Sequence, residues 1–157
     1  MNMITDIFQS ETFQTEAKAR SEILDSMLAA LSNGKINEFV GRFGDNFKFT
    51  DHALDLEFTD KGCLIEFLKK SRELFPDTAV KVRSTFESKD YAIAEWTLTA
   101  TETVGYGSMQ ARSPISVSGV SFAQIRNERV VRWTDYYDQA KSHRMSLAAH
   151  FTDWIEL

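Results

Sequence analysis

The chain reads as one α+β domain, with helices first and antiparallel strands after them. Two observations predict this order. Apolar residues in the first third recur at helical spacing, and from Ala79 onward four runs rich in β-branched and aromatic residues follow one another. The first ten residues read as a loose arm. Glu11 to Ser32 carries Ile23, Met27, Leu28 and Leu31 on one stripe, and Asn33-Gly34 supplies a helix stop. Ile36, Phe39, Val40 and Phe43 mark a second short helix, and Asn46 to His52 alternates Phe47 and Phe49 as a strand. Asp60 is placed to cap a helix that runs to Leu74, and Pro76 enforces its end. The long strands are expected at Ala79–Glu87, Tyr91–Glu102, Ser113–Ile125 and Arg129–Tyr137. Arg126-Asn127-Glu128 forms the last hairpin turn, where Asn127 tolerates a left-handed backbone. The tail from Gln139 to Leu157 reads as partly helical.

Length and composition narrow the function. A chain of 157 residues makes one domain, here taken as 1–157, large enough for a real core. Hydrophobic residues make up 43%, with twelve phenylalanines, which suits a fold lined by an apolar cavity. A net charge of −5 and the lack of any basic run argue against a nucleic-acid surface. No stretch approaches the roughly 20 apolar residues of a membrane helix. The first eight residues contain Asp6 and no Lys or Arg, unlike a signal peptide, so a cytoplasmic location is expected. The single Cys63 excludes an internal disulfide, and its neighbours Leu64, Phe67 and Leu68 suggest a small core residue. His52, His143 and His150 lack the spacing of a metal site, so no metal is expected.

The segment Val130-Val131-Arg132-Trp133-Thr134-Asp135-Tyr136-Tyr137-Asp138 carries the chemistry. On a strand, Val131, Trp133, Asp135 and Tyr137 share one face, so a single carboxylate sits in the more apolar row. Burial raises the pKa of such a group and makes it a candidate for proton transfer. From this strand alone the structural reading, in which Asp135 bonds a backbone amide or an arginine and holds a strand end in place, is slightly favoured. Asp138 precedes a helical stretch and reads as an N-cap. A second polar pair, Asp51-His52, ends the first strand. Only one of the two can easily face a pocket, and both could equally belong to a solvated turn before Ala53-Leu54-Asp55.

Over about Thr15 to Arg144 the chain resembles the SnoaL-like branch of the NTF2-like superfamily, which also holds ketosteroid isomerases, scytalone dehydratases and limonene-1,2-epoxide hydrolases. The helical opening Ile23 to Gly34 leads into Phe47-Lys48-Phe49-Thr50-Asp51-His52. The helix Lys61 to Leu68 and Phe75-Pro76-Asp77 follow, then Ala94-Glu95-Trp96-Thr97-Leu98-Thr99 and Ile115 to Phe122. The Trp133-to-Asp138 segment ends the match. The order and spacing of these pieces, more than any one of them, carry the likeness. The resemblance implies a cone, a curved antiparallel sheet packed against N-terminal helices around an apolar pocket. In the register it implies, Trp96, Leu98, Ile115, Val117, Gly119, Ser121, Trp133, Asp135 and Tyr137 face that pocket. Gly119 and Ser121 would leave room, and Trp96, Trp133 and Tyr137 would form flat walls.

The resemblance also implies candidate chemistries. The epoxide hydrolases need an Arg and an Asp on the strand that here presents Trp96 and Leu98, so their mechanism is not expected. The ketosteroid isomerases need an acid near Gly119 or Val120 and a tyrosine in the first helix, and this chain has neither. The polyketide cyclases use one Asp with a His for an aldol ring closure, and Asp135 with His52 comes nearest. The expected function is cofactor-independent cyclisation, isomerisation or dehydration of a planar, apolar small molecule. Asp135 would act as the acid-base and Asp51 or His52 as its assistant, while Trp96, Leu98, Val117, Gly119, Trp133 and Tyr137 hold the substrate. The alternative is a non-catalytic ligand-binding or interaction module on the same fold. A homodimer through Thr97, Thr99, Val120 and Phe122 is expected from the superfamily's habit.

Overall fold

A computed structural model describes residues 20–102 and 113–138. Helix α1 (residues 20–32) buries Leu24, Met27 and Leu28, and α2 (Ile36–Gly41) buries Phe39 and Val40. Gly34 turns the chain between them with φ of 69°, a conformation that costs glycine little. Strands β1 (Phe43–Asp51) and β2 (Leu56–Phe58) form a hairpin whose turn holds Asp55 at φ of 56°. In α3 (Lys61–Leu74) the Asp60 side chain accepts from the Cys63 amide at 2.9 Å, the expected cap. Strands β3 (Ala79–Glu87), β4 (Tyr91–Glu102), β5 (Ser113–Arg126) and β6 (Arg129–Tyr137) then run as a meander. The last hairpin turns through Asn127 and Glu128, both with positive φ, so the left-handed site read at Asn127 extends by one residue.

The six strands form one curved, unclosed sheet in the order β2-β1-β6-β5-β4-β3. All neighbours are antiparallel except β1 and β6, which run parallel. The chain enters β1 early, crosses through α3 and three strands, and returns beside its starting point. The sheet is therefore mixed, a feature that strand order alone could not give.

Register sets the interior as rows crossing the sheet. One row runs Ala92, Ala123, Trp133, Phe49 and Phe58. The next runs Ala94, Ser121, Asp135, Asp51 and Leu56. The third brings together Val82, Trp96, Gly119 and Tyr137, and the fourth Val80, Leu98 and Val117. In the third row Gly119 lies between Trp96 and Tyr137, which lets the Trp96 indole lie over it without a clash. At the first row the cone is filled. Trp133 is fully buried, edge-on to Phe39 at 5.1 Å and parallel to Phe49, and Phe43 sits against Phe39 at 5.3 Å.

Several sequence expectations change here. The second helix stops at Gly41, and Phe43 opens β1 instead of closing that helix, because its ring belongs to the aromatic cluster under the sheet. Residues 52–55 do form a turn, and the short strand Leu56–Phe58 that follows it is an addition to the sequence reading. Cys63 is exposed rather than buried, since it lies in the first turn of α3 one residue before the inward-facing Leu64. No helix among the described residues is long and apolar enough to cross a membrane. The expected N-terminal arm, the C-terminal helix, His143 and His150 lie outside the described residues.

Candidate functional site

Above the filled end, the cone opens into a cavity of about 210 Å³. A dry cavity of about 150 Å³ accepts one benzene ring, so this space suits a one- or two-ring molecule. Leu28, Phe67, Leu68 and Phe75 close it from the helical side, and Leu98, Ala100, Ile115 and Val117 from the sheet. Its few polar groups include Asp51, Ser121, Asp135 and Tyr137, gathered where the second and third rows meet the cavity.

Asp135 is held by a relay of neutral donors. Trp133 Nε1 donates to Asp135 Oδ1 at 2.8 Å, and Ser121 Oγ donates to the same oxygen at 2.5 Å. Trp96 Nε1 in turn donates to Ser121 Oγ at 2.8 Å. The register explains the convergence, because Ser121 sits directly across β5 from Asp135, and Trp133 is two residues along the same strand face. Both bonds go to Oδ1. Among the described residues no buried side-chain oxygen lacks a partner, so Oδ2 opens on accessible space at the cavity. Among the described residues no cation pairs with this acid, and their ion pairs are all surface contacts elsewhere. Desolvation therefore dominates, with a smaller contribution from the charge of Asp51, and raises the Asp135 pKa to about 7 despite the Ser121 and Trp133 bonds. Near neutral pH both the protonated and the ionised forms of this carboxyl are therefore populated.

Asp51 stands beside Asp135 on the parallel neighbour strand and is buried. Tyr137 Oη donates to its Oδ2 at 2.9 Å, and the Leu54 amide donates to its Oδ1 at 2.9 Å. Burial raises its pKa, and these bonds pull the other way. The Tyr137 hydroxyl is pushed upward by burial and by the two neighbouring acids, so it stays protonated. The cavity thus presents two acids with unlike surroundings, one fed by indole and serine donors, the other by a phenol and a backbone amide.

The structure brings Asp135, Asp51, Trp96, Leu98, Val117, Trp133 and Tyr137 to one cavity. It does not bring His52 there. The Asp51 side chain points inward, so His52 points out, where it is exposed and stacks on Tyr136 with ring centres 4.5 Å apart. Of the two candidate assistants to Asp135, Asp51 lines the cavity and His52 does not. Gly119 also departs from expectation. Its missing side chain is directed inward, but the Trp96 indole fills that space; a Cβ there would collide with Trp96 Cη2 and Cζ2 and with the Tyr136 carbonyl oxygen. Gly119 makes room for the indole that reaches Ser121, not for a ligand. Sequence reasoning took Ser121 as a space-maker and missed it as the link between Trp96 and Asp135; aligning β5 against β6 would have exposed it. Arg72, which borders the cavity from the end of α3, carried no signal in sequence. Among the described residues no cluster of His, Cys, Asp or Glu could hold a metal.

A profile of the SnoaL-like polyketide cyclase family matches residues 21–144. The chain belongs to this family. Its fold is shared with solved structures at low identity. A protein described as a candidate hydroxylase, AclR from Streptomyces galilaeus, is 16% identical with a TM-score of 0.68, over 90% of this chain and 98% of that one. A candidate SnoaL-like polyketide cyclase from Shewanella putrefaciens is 12% identical with a TM-score of 0.69, over 82% and 96%. A protein with a ketosteroid isomerase-like fold from Catenulispora acidiphila, solved with trimethylamine, is 18% identical with a TM-score of 0.68, over 76% and 88%. No curated sequence matches the chain. These likenesses establish the NTF2-like cone and leave the reaction to the site itself.

Proposed function

We propose that this SnoaL-like protein is an enzyme that moves protons on a planar, mostly apolar small molecule without a cofactor. The observation that carries the proposal is Asp135, a carboxyl facing an apolar cavity, without a cation partner among the described residues, with a pKa of about 7. An acid locked to an arginine in a filled interior would have favoured a binding module; this environment favours catalysis. In its ionised form Asp135 Oδ2 takes a proton from a carbon next to a carbonyl, and the C–H electron pair becomes the enolate C=C bond. Returned to carbon or oxygen, the same proton completes an isomerisation, a dehydration or an aldol ring closure. Trp133 holds the carboxyl directly, and Trp96 holds it through Ser121. Asp51 adds negative charge that favours the protonated form of Asp135, and Tyr137 keeps Asp51 in place. Leu98 and Val117 supply the apolar wall.

The base can be tested before the natural substrate is known. 5-Nitrobenzisoxazole is flat and apolar. A base removes its ring C–H proton, those electrons form the nitrile, and the N–O bond breaks to release a coloured phenolate. The protein is expected to accelerate this elimination, with a rate that rises as Asp135 ionises around pH 7. Asp135→Asn should lower the rate about 100-fold or more, within the usual worth of a positioned base. His52→Ala should leave rate and pH profile unchanged. An Asp135→Asn protein as fast as the wild type would remove Asp135 from the chemistry.

The outer face of the same sheet supports a homodimer. Phe86 (59% exposed), Phe122 (37%) and Tyr136 (48%) lie on it, with Phe122 edge-on to Tyr136 at 5.8 Å. Thr97, Thr99 and Val120 share that face, and a self-complementary patch of this kind fits a twofold interface. Sedimentation at micromolar concentration should give twice the chain mass; a monomer there would overturn the assembly.

A further inference from the structure

The cavity lining also includes a cationic group on a different element from the two acids. Arg72 borders it at the C-terminal end of α3. Among the described residues only its Nη1 finds acceptors: it donates to the Ser32 carbonyl at 3.3 Å and to the Thr78 carbonyl at 3.0 Å. Nε and Nη2 take no acceptor from the described residues, and neither is sealed away from accessible space. Gly34 explains why they stay open. A Cβ on Gly34 would lie 3.3 Å from Arg72 Nε and 3.6 Å from Nη2, so the atoms beside the missing side chain are the ones without acceptors. Gly34 itself borders the cavity. The Arg72 charge acts on Asp77, whose pKa it helps to lower, and not on Asp51 or Asp135. The guanidinium borders the chamber from the end of α3, and the acids border it from β1 and β6.

We propose that Arg72 is a specificity residue that binds the carboxylate of the substrate, making the substrate class a planar, ring-bearing carboxylic acid whose reacting carbon lies at Asp135. Two N–H groups on one edge of a guanidinium match a carboxylate in bidentate fashion, and such charge-assisted bonds are stronger and more directional than neutral ones. Nη1, fixed to two backbone carbonyls, sets the plane of the fork. Binding at this end would orient the ring so that its other end meets the acids, a division of labour that a uniformly apolar pocket cannot supply. A purely structural arginine, tying the end of α1 to the start of β3, would need only Nη1. This inference rests on the reading of the cavity as a small-molecule site.

Equilibrium dialysis with 2-naphthoate and its methyl ester tests it, since the two probes share a ring system and differ in charge. The wild type should hold the acid about tenfold more tightly than the ester, the discrimination expected of one charge-assisted pair. Arg72→Gln should weaken the acid about tenfold, to the level of the ester, and leave ester binding unchanged. The ester serves as the fold control in the same variant. Arg72→Lys keeps a point charge without the fork and should retain part of the preference. Equal affinity for acid and ester in the wild type, or an unchanged ratio in Arg72→Gln, would overturn the assignment. Ester binding together with intact benzisoxazole elimination would then leave the proposed function standing. Loss of both probes from the wild type would remove the cavity as a binding site and both readings with it.

Discussion

The two ends of the cone are built from similar residues and do opposite things. At the closed end Phe39, Phe43, Phe47, Phe49 and Trp133 meet ring against ring, and all five are buried. At the open end Leu98 and Tyr137 are only partly buried, because one side of each faces the cavity. The contrast teaches that hydrophobic content does not separate stability from function in this fold; what separates them is whether the rows of the sheet are filled from the helical side. Trp133 belongs to both ends. Its ring anchors the closed cluster, and its Nε1 reaches across to Asp135. The solid end thereby fixes the position of a carboxyl that must hold still beside empty space.

The sharpest break in this comparison is a pair of truncations. Phe43→Ala removes a ring that is 1% exposed and touches the rings of Phe39, Phe47, Phe49 and Trp133. It should cost about 3–5 kcal/mol, the usual penalty for emptying a packed aromatic site. Leu98→Ala enlarges a space that already exists, so it should cost only about 1–2 kcal/mol. Urea denaturation of both variants checks the difference. Equal losses would mean that the open end is as tightly packed as the closed one.

Much of this was legible in the chain. Period-2 alternation along Trp133, Asp135 and Tyr137 pointed to an acid on an apolar face, and the residue pattern placed four strands to within a residue at each end. The mixed sheet was not legible, because a parallel partner for β1 arises from long-range return of the chain and leaves no local mark. Asp51 and His52 could not be told apart, since alternation says only that they oppose each other; β1 pairing with β6 decides that Asp51 is inside. Ser121 and Gly119 looked alike as small residues. One is a hydrogen-bond relay and the other a niche for an indole, and only the cross-strand register distinguishes them. Arg72 carried no signal, because a cation near the C-terminal end of a helix is favoured anyway.

The remaining prediction concerns pH and turns on Asp135, the group that belongs wholly to the open end. Its pKa rises from 3.8 to about 7 on folding. Below pH 4 the carboxyl is protonated in both states and has no effect on stability. Between pH 4 and 7 the unfolded chain gives up this proton while the folded chain keeps it, so the native state binds more protons and stability falls as pH rises. Above pH 7 both states are ionised and the loss is complete. A shift of about three pH units corresponds to roughly 4 kcal/mol, an upper figure of which about 2 kcal/mol should remain measurable. The raised pKa of Asp51 adds in the same direction. Asp135→Asn keeps an acceptor for Trp133 and Ser121 and removes the ionisation. The variant should therefore be more stable than the wild type at pH 8, and the advantage should fade as the pH falls toward 4. Guanidinium denaturation across this range measures it. A wild type whose stability is flat from pH 4 to 7, or an Asn variant less stable at pH 8, would show that Asp135 is a structural carboxylate and that the open end is held by its charge.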